Sequence, residues 1–364
     1  MKIAFYGSSL LSAYWNGAAT YYRGLLRALA EKGYDIAFYE PDVYDRQKNR
    51  DIDPPDWCRV VVYDGTVEAL RKVAAEAAKA DIVVKASGVG FEDDLLLAEV
   101  MAAARPQAIK VFWDVDAPAT LAEMQVAPGH PLRRALASLD LVLTYGGGEP
   151  VVGAYRSFGA AECVPIYNAL DPQTHHPALP DPRYAADLGF LGNRLPDREA
   201  RVEEFFLDPA ARLPEQKFLL GGSGWQDKPM PANIAYVGHV PTGAHNAFNA
   251  TPKAVLNISR ASMAANGFSP ATRVFEAAGA GACLITDYWE GIELFLSPDD
   301  EVLVARDGAD VAEILAGLTS ERAESIGKAA LERVLADHTY ARRAEEADRV
   351  FRRVAEQRAM EAAE

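Results

Sequence analysis

The residues with the clearest chemical potential lie in NGFSPATRVFEAAGAGACLIT, residues 266 to 286. The pattern predicts a loop and then a helix that begins near Ala271 or Thr272. The first turn of a helix presents unpaired N–H groups and a positive dipole end, which suit a phosphate. Arg273 can add charge-assisted contacts to that anion, and Glu276, one turn later, can accept both hydroxyls of a ribose. The alternative is a surface helix on which Arg273 and Glu276 form an ordinary i, i+3 pair.

A second candidate group lies in WDVDAPATL, residues 113 to 121. An Asp-x-Asp pattern such as Asp114 to Asp116 can hold a divalent metal against diphosphate oxygens. Asp116 can instead orient a hydroxyl group or accept its proton. The alternative for Asp116 is a hydrogen bond to the backbone of its own loop.

Short apolar strands must position these residues. The first half predicts strands at residues 2–6, 35–39, 59–63, 81–85, 108–113 and 141–145, with helices at 18–31, 67–78 and 93–104. The alternation restarts with strands at 187–192, 217–222, 234–238, 254–259, 282–286 and 301–305. Continuous apolar strands that alternate with helices indicate parallel sheets covered on both faces.

The proline-rich segment from residue 168 to 183 interrupts this alternation. We predict a first domain over residues 1–170, a linker over 171–183, a second domain over 184–337 and a C-terminal helix over 338–364. Spacings of four and three place five apolar residues of this helix on one stripe, namely Tyr340, Ala344, Ala347, Phe351 and Val354. The helix must therefore pack on the body of the protein.

Composition excludes several classes of protein. A net charge of -15 and the lack of a Lys/Arg block argue against a nucleic-acid partner. No apolar run is long enough for a membrane span or a signal peptide, and the 3 cysteines lack metal-ligand spacing. These features favour a cytoplasmic protein. The arginines of the last helix predict a solvated face, with peripheral contact to a membrane surface as the alternative.

The stretch RVFEAAGAGACLITDYWEGIELF, residues 273 to 295, resembles the donor-binding segment of GT-B glycosyltransferases, most closely the spore-maturation-type (CgeB-like) group related to glycosyltransferase family 4. The similarity continues through DDEVLVARD and HTYARRAEE, and more weakly through residues 14–42, 113–121 and 167–177. The resemblance implies two Rossmann-like parallel-sheet domains facing a cleft, with the C-terminal helix packed back on the body.

The resemblance implies an enzyme that moves a sugar from a nucleoside diphosphate sugar to an acceptor hydroxyl without a metal or another cofactor. Arg273 and Asp116 would then be catalytic. The implied donor-binding set is Asn193, Arg194, His239, Ser269, Thr272, Arg273 and Glu276. The implied acceptor loop contains Trp15, Asn16, Gly17 and Thr20, and its alternative is a turn capped by Asn16.

The sequence departs from the family pattern at two places. Family 4 enzymes carry two glutamates separated by seven residues, and the position eight before Glu276 is Phe268. Asn193 and Arg194 replace the usual Gly-Arg…Lys diphosphate clamp, so we expect Arg194 and Arg273 to hold the diphosphate. Two alternative functions stay open, which are a nucleotide-sugar epimerase of the same fold and a non-catalytic nucleotide-sugar-binding protein.

Overall fold

The computed structural model describes residues 1–14, 16–196 and 198–361. It contains two compact units. The N-terminal unit comprises Met1–Tyr167 and the final helix, and the C-terminal unit comprises Asn168–Thr339. Each unit is a parallel sheet with helices, so the predicted pair of Rossmann-like domains is confirmed.

The N-terminal unit has a seven-stranded sheet in the order β3-β2-β1-β4-β5-β6-β7. The strands are β1 (Lys2–Tyr6), β2 (Asp35–Asp42), β3 (Arg59–Asp64), β4 (Ile82–Ala86), β5 (Ile109–Asp114), β6 (Leu141–Thr144) and β7 (Cys163–Pro165). Strand β1 pairs in parallel with β2 and β4, and Ile3 lies opposite both Ile36 and Ile82. The strand order therefore changes direction between β1 and β4, where α/β proteins open a crevice at the carboxyl edge.

The helices of this unit cover both faces of its sheet. They are α1 (Ala19–Glu31), α2 (Val67–Ala74), α3 (Asp93–Ala103), α4 (Ala117–Val126), α5 (Pro131–Ala135) and α6 (Gly148–Ser157). Buried apolar residues of α2, α3 and α6 form one core cluster with strand residues such as Val83 and Phe112. All six strands that the sequence predicts here are confirmed, and the short edge strand β7 was not predicted.

The C-terminal unit has a six-stranded parallel sheet in the order β10-β9-β8-β11-β12-β13. The strands are β8 (Leu188–Leu191), β9 (Phe218–Gly221), β10 (Ile234–Gly238), β11 (Ala254–Asn257), β12 (Leu284–Asp287) and β13 (Leu303–Ala305). The helices are α7 (Glu199–Val202), α8 (Asp208–Arg212), α9 (His245–Ala250), α10 (Ala261–Asn266), α11 (Thr272–Gly279), α12 (Gly308–Gly317) and α13 (Ser320–Asp337). Its strand order changes direction between β8 and β11.

The last helix, α14 (Tyr340–Glu361), packs on the N-terminal unit. The predicted apolar stripe is confirmed, because all five of its residues are at most 5% exposed. The Tyr340 ring lies over Gly24 of α1, where a Cβ atom would come within 2.1 Å of it. Phe351 packs against the rings of Tyr34 and Trp113.

Candidate functional site

The carboxyl edge of the C-terminal unit brings together the loops that follow β8 and β9. Gly222 has a φ of +118°, and a Cβ atom there would lie 2.2 Å from the Gly192 carbonyl oxygen. Only glycine allows this approach. Ser223 N donates to Asn193 Oδ1 at 2.9 Å, and Arg194 N donates to the Ser223 carbonyl at 2.9 Å. The Asn193 side chain therefore joins the two loops.

Helix α11 begins at the same edge, where the sequence predicted it. Its N-cap, Ala271, provides no side-chain acceptor for the first turn, because alanine has no oxygen beyond its backbone. The buried residues Val274 and Phe275 fix the helix against the core, with Thr272 half-buried and Ser269 buried ahead of it. The first N–H groups of α11 are thus uncapped by a side chain, which is the arrangement that binds anions.

Arg273 projects from this first turn beside the ring of buried Phe190, 5.9 Å from its centroid. Desolvation lowers the pKa of Arg273 to about 10, and repulsion from Arg198 adds to the lowering while Glu276 opposes it. The guanidinium therefore stays charged at neutral pH. Within the described ranges of the chain, no residue forms a hydrogen bond or ion pair with it.

Arg198 lies on the same ring, also 5.9 Å from the Phe190 centroid, and donates to the Asn193 carbonyl at 2.8 Å. Two guanidinium groups thus converge near the beginning of α11. Sequence reasoning assigned Arg194 to this position and missed Arg198. The sequence could have indicated Arg198 as well, because both arginines belong to the same loop segment, FLGNRLPDR.

Arg194 is engaged by carboxylates. It pairs with Glu199 at 2.7 Å and with Asp227 at 2.9 Å, and these contacts raise its pKa. Arg194 and Lys228 together lower the pKa of Glu199 to about 2. Arg194 therefore connects the loop after β8 with α7 and with the loop after β9.

Glu276 lies one turn after Arg273 on α11, with 22% of its side chain exposed. Its Oε1 atom is 3.9 Å from Nε2 of His175, which comes from the proline-rich segment. His239, which follows β10, is exposed. The structure thus brings Arg273 and Glu276 together with a histidine that was not among the expected site residues.

A buried aspartate organises the loop after β11. Asp287, at the end of β12, accepts hydrogen bonds from the backbone and hydroxyl of Ser259 at 3.0 and 3.1 Å and from Arg201 at 2.6 Å. Burial raises the pKa of Asp287. This network fixes the direction in which the chain leaves β11 toward α10 and α11.

In the N-terminal unit, the loop after β1 is folded by its own polar side chains. Asn16 accepts from the Ser8 hydroxyl at 2.9 Å and donates to the carbonyls of Ser9 and Ser12 at 2.8 and 3.1 Å. Buried Glu40 accepts from Ser9 Oγ at 3.0 Å and from the backbone of the next residues. Both polar atoms of the Asn16 amide are therefore engaged within the loop.

The neighbours of Asn16 in the predicted acceptor loop are placed differently. Gly17 is exposed, and Thr20 is half-buried in the first turn of α1. Trp15 lies outside the described residues.

The two aspartates of the D-x-D pattern have different surroundings. Asp114 is fully buried and accepts from Ser87, Thr120, Tyr155 and the Asp116 backbone at 2.8, 3.1, 2.5 and 3.0 Å. Desolvation raises its pKa against these hydrogen bonds. Asp116 is exposed at the wall of a cavity of about 290 Å³ in the same unit. Asp114 thus holds the loop, and Asp116 is the accessible carboxylate.

Residues 198–349 match the model of a family described as glycosyl transferase-like. This stretch makes up most of the C-terminal unit and the beginning of α14, and solved structures with the same two-sheet fold are glycosyltransferases. The chain is a glycosyltransferase of the GT-B fold. The predicted enzyme class and fold are thereby confirmed.

Solved structures with the fold of this glycosyltransferase share little sequence with it. HepE from Anabaena, in complex with UDP and glucose, is 13% identical, with a TM-score of 0.67, over 96% of this chain and 99% of that one. Sucrose-phosphate synthase from Thermosynechococcus elongatus is 15% identical, with a TM-score of 0.69, over 97% and 99%. The β-glucosyltransferase of phage T4 is 14% identical, with a TM-score of 0.57, over 98% and 99%. No curated protein sequence matches the glycosyltransferase significantly.

Across residues 1–14, 16–196 and 198–361, no helix is both long and apolar enough to cross a membrane.

Proposed function

We propose that the protein transfers a glycosyl group from a nucleoside diphosphate sugar to an acceptor hydroxyl, without a metal ion, as a member of the CgeB-like group. The observation that carries this proposal is the half-buried Arg273, charged and unpaired within the described chain, at the uncapped beginning of α11. A half-buried guanidinium that forms no ion pair loses part of its hydration without compensation, so its retention indicates an anionic ligand.

The diphosphate is the part of the donor that fits this position. As the glycosidic bond breaks, negative charge builds on the leaving diphosphate, and Arg273, Arg198 and the N–H groups near Thr272 stabilise it. We propose Arg198 as the second arginine because its guanidinium lies beside the same Phe190 ring as that of Arg273, each 5.9 Å from the ring centroid. Ser269 and Asn193 shape the loops around the phosphates, and His239 borders the nucleotide.

Glu276 is proposed to accept the ribose hydroxyls, since its carboxylate lies one turn from Arg273 and is partly exposed. Uridine nucleotides are bound by HepE and by the T4 enzyme, which supports UDP as the first nucleotide to test.

Asp116 is the proposed acceptor-side group. Its exposed carboxylate stands at the cavity wall, and its backbone is held by Asp114. It would orient the acceptor hydroxyl or accept its proton. Gly17 and Thr20 would border the acceptor, while Asn16 maintains the loop.

Calorimetric titration with a panel of nucleoside diphosphates tests the donor half of the proposal. We expect one nucleotide to bind, and Glu276→Ala to weaken its binding about tenfold, the scale of losing hydrogen bonds to a charged group. Glu290→Ala is a control, because Glu290 is also exposed but lies outside α11. Unaltered affinity in Glu276→Ala would remove this residue from the donor site.

Transfer assays complete the test. With the matching UDP-sugar and an acceptor, we expect product in the presence of a chelator at the same rate as in its absence. Loss of activity on chelation would contradict the metal-free mechanism. Binding without transfer or donor hydrolysis would favour the non-catalytic alternative, and an epimerised sugar in the absence of acceptor would favour the epimerase.

A further inference from the structure

The proline-rich segment before β8 packs directly on α11. Leu170 is fully buried, and a Cβ atom on Gly279 would lie 2.3 Å from Leu170 Cδ1 and 3.3 Å from the His175 carbonyl oxygen. Any larger residue at position 279 would push the segment away. Glycine at this position therefore allows the backbone of His175 to pack closely against the helix that carries Glu276.

A short chain of hydrogen bonds orients the His175 ring. The Thr174 hydroxyl donates to the Asp171 carbonyl at 3.2 Å, and Thr174 Oγ lies 3.0 Å from Nδ1 of His175. Because that hydroxyl has already given its proton, Nδ1 of His175 is the donor in the second contact. The other ring nitrogen, Nε2, is thereby turned toward Glu276 Oε1, 3.9 Å away.

The remaining charged groups around Glu276 do not fix its carboxylate in this way. Arg273 is one turn away on the same helix and forms no ion pair within the described chain. His245 lies nearby, but its Nε2 is 3.2 Å from the Val240 carbonyl, and burial lowers its pKa. Among the described residues, His175 is the one whose basic side-chain nitrogen lies within 4 Å of the Glu276 carboxylate.

We propose that His175 is a positioning residue that holds the Glu276 carboxylate in the orientation that receives the ribose hydroxyls of the donor. The inference rests on the proposed function and adds a residue that strengthens recognition of the ribose. A free glutamate side chain samples many rotamers, and ordering it when the ribose binds costs conformational entropy. Because Nδ1 donates to Thr174, Nε2 presents an N–H to the carboxylate in the imidazolium form of the ring, and this contact meets that cost before the ligand arrives.

Recognition of the ribose can be separated from recognition of the phosphates with two ligands. Calorimetry with UDP and with 2′,3′-dideoxy-UDP gives the ratio of their affinities, which we call the ribose discrimination. We expect a value of about ten or more in the wild type, because hydrogen bonds to a carboxylate have that strength. Glu276→Ala should reduce it to near one.

Two substitutions at position 175 then test the histidine. Asparagine keeps a polar atom near Thr174 but is too short to reach Glu276, so His175→Asn should reduce the ribose discrimination to about threefold or less. Glutamine reaches as far as Nε2 and can donate to the carboxylate, so His175→Gln should retain most of it. The exposed neighbour provides the matched control, and His176→Asn should leave the ratio unchanged.

The outcomes separate failure of this inference from failure of the proposed function. If His175→Asn weakens UDP and dideoxy-UDP equally, or retains the full discrimination, the positioning role is overturned while donor binding stands. Equal ratios in the Asn and Gln variants also overturn it. If the wild type shows no ribose discrimination, the role of Glu276 fails and the inference fails with it.

Discussion

The polar groups at the carboxyl edges of the two units differ in how they are satisfied. In the N-terminal unit, neighbouring backbone and hydroxyl groups form hydrogen bonds with the polar side chains, namely those of Asn16, Glu40 and Asp114. In the C-terminal unit, Arg273 is charged, half-buried and unpaired within the described chain. Buried polar groups are normally satisfied, so an exception needs an explanation. The contrast separates residues that build loops from a residue kept available for a ligand.

The largest effect should come from removing the unpaired cation. We expect Arg273→Ala to lower kcat/KM by about 10² or more, because a donor aimed at developing charge is lost. Steady-state kinetics with the donor identified by calorimetry will measure it. Arg306→Ala, at an exposed position, is the control. An unchanged kcat/KM in Arg273→Ala would show that Arg273 is not kept available for a ligand, and the contrast with the loop-building residues of the N-terminal unit would fail.

The next largest effect should come from a loop-building residue. Asp114→Ala leaves the Tyr155 and Ser87 hydroxyls without their acceptor, and each unsatisfied buried group costs about 1–3 kcal/mol. We expect a loss of about 3 kcal/mol, seen as a Tm lower by about 6 °C or more in calorimetry. Asp116→Ala, at an exposed carboxylate, should change stability by about 0.5 kcal/mol at most. Equal stability losses would show that the two aspartates are not divided between scaffold and site.

The smallest effects should distinguish the two arginines of the loop after β8. Arg198→Ala should weaken UDP binding about tenfold, since it removes a charge-assisted contact to the diphosphate. Arg194→Ala breaks ion pairs at the protein surface, which water and salt screen, so UDP affinity should change by about twofold at most. Calorimetry of both variants measures the difference. If Arg194→Ala weakened UDP binding more than Arg198→Ala did, Arg194 would be the arginine that binds the diphosphate.

Periodicity predicted both sheets except for the short edge strand β7. The apolar runs predicted twelve strands within a few residues of their observed bounds, and the stripe on α14 was buried as expected. The beginning of α11 was also predictable, because Ser269 and Pro270 mark the loop before it. These features depend on local sequence, where a strand or a helix start is encoded within a few residues.

The finer geometry of the site was not accessible from spacing. Arg194 and Arg198 are four residues apart, and only the folded loop shows that Glu199 and Asp227 engage the first of them. His175 was assigned to a linker because the prolines around it carry no periodicity, although Gly279 lets that segment pack on α11. Contacts between distant positions decide such roles, and a single sequence does not record them.

The return of α14 to the N-terminal unit has a consequence for synthesis. Every residue of the C-terminal unit, from Asn168 to Thr339, leaves the ribosome before Tyr340 does. The two ends of that unit are already joined, since Leu170 N donates to the His338 carbonyl at 2.8 Å. The C-terminal unit therefore has all of its residues available for folding before the N-terminal unit does, although its translation begins later. Until the last helix emerges, the nascent N-terminal unit exposes the aromatic surface around Tyr21, Tyr34 and Trp113 that α14 later covers.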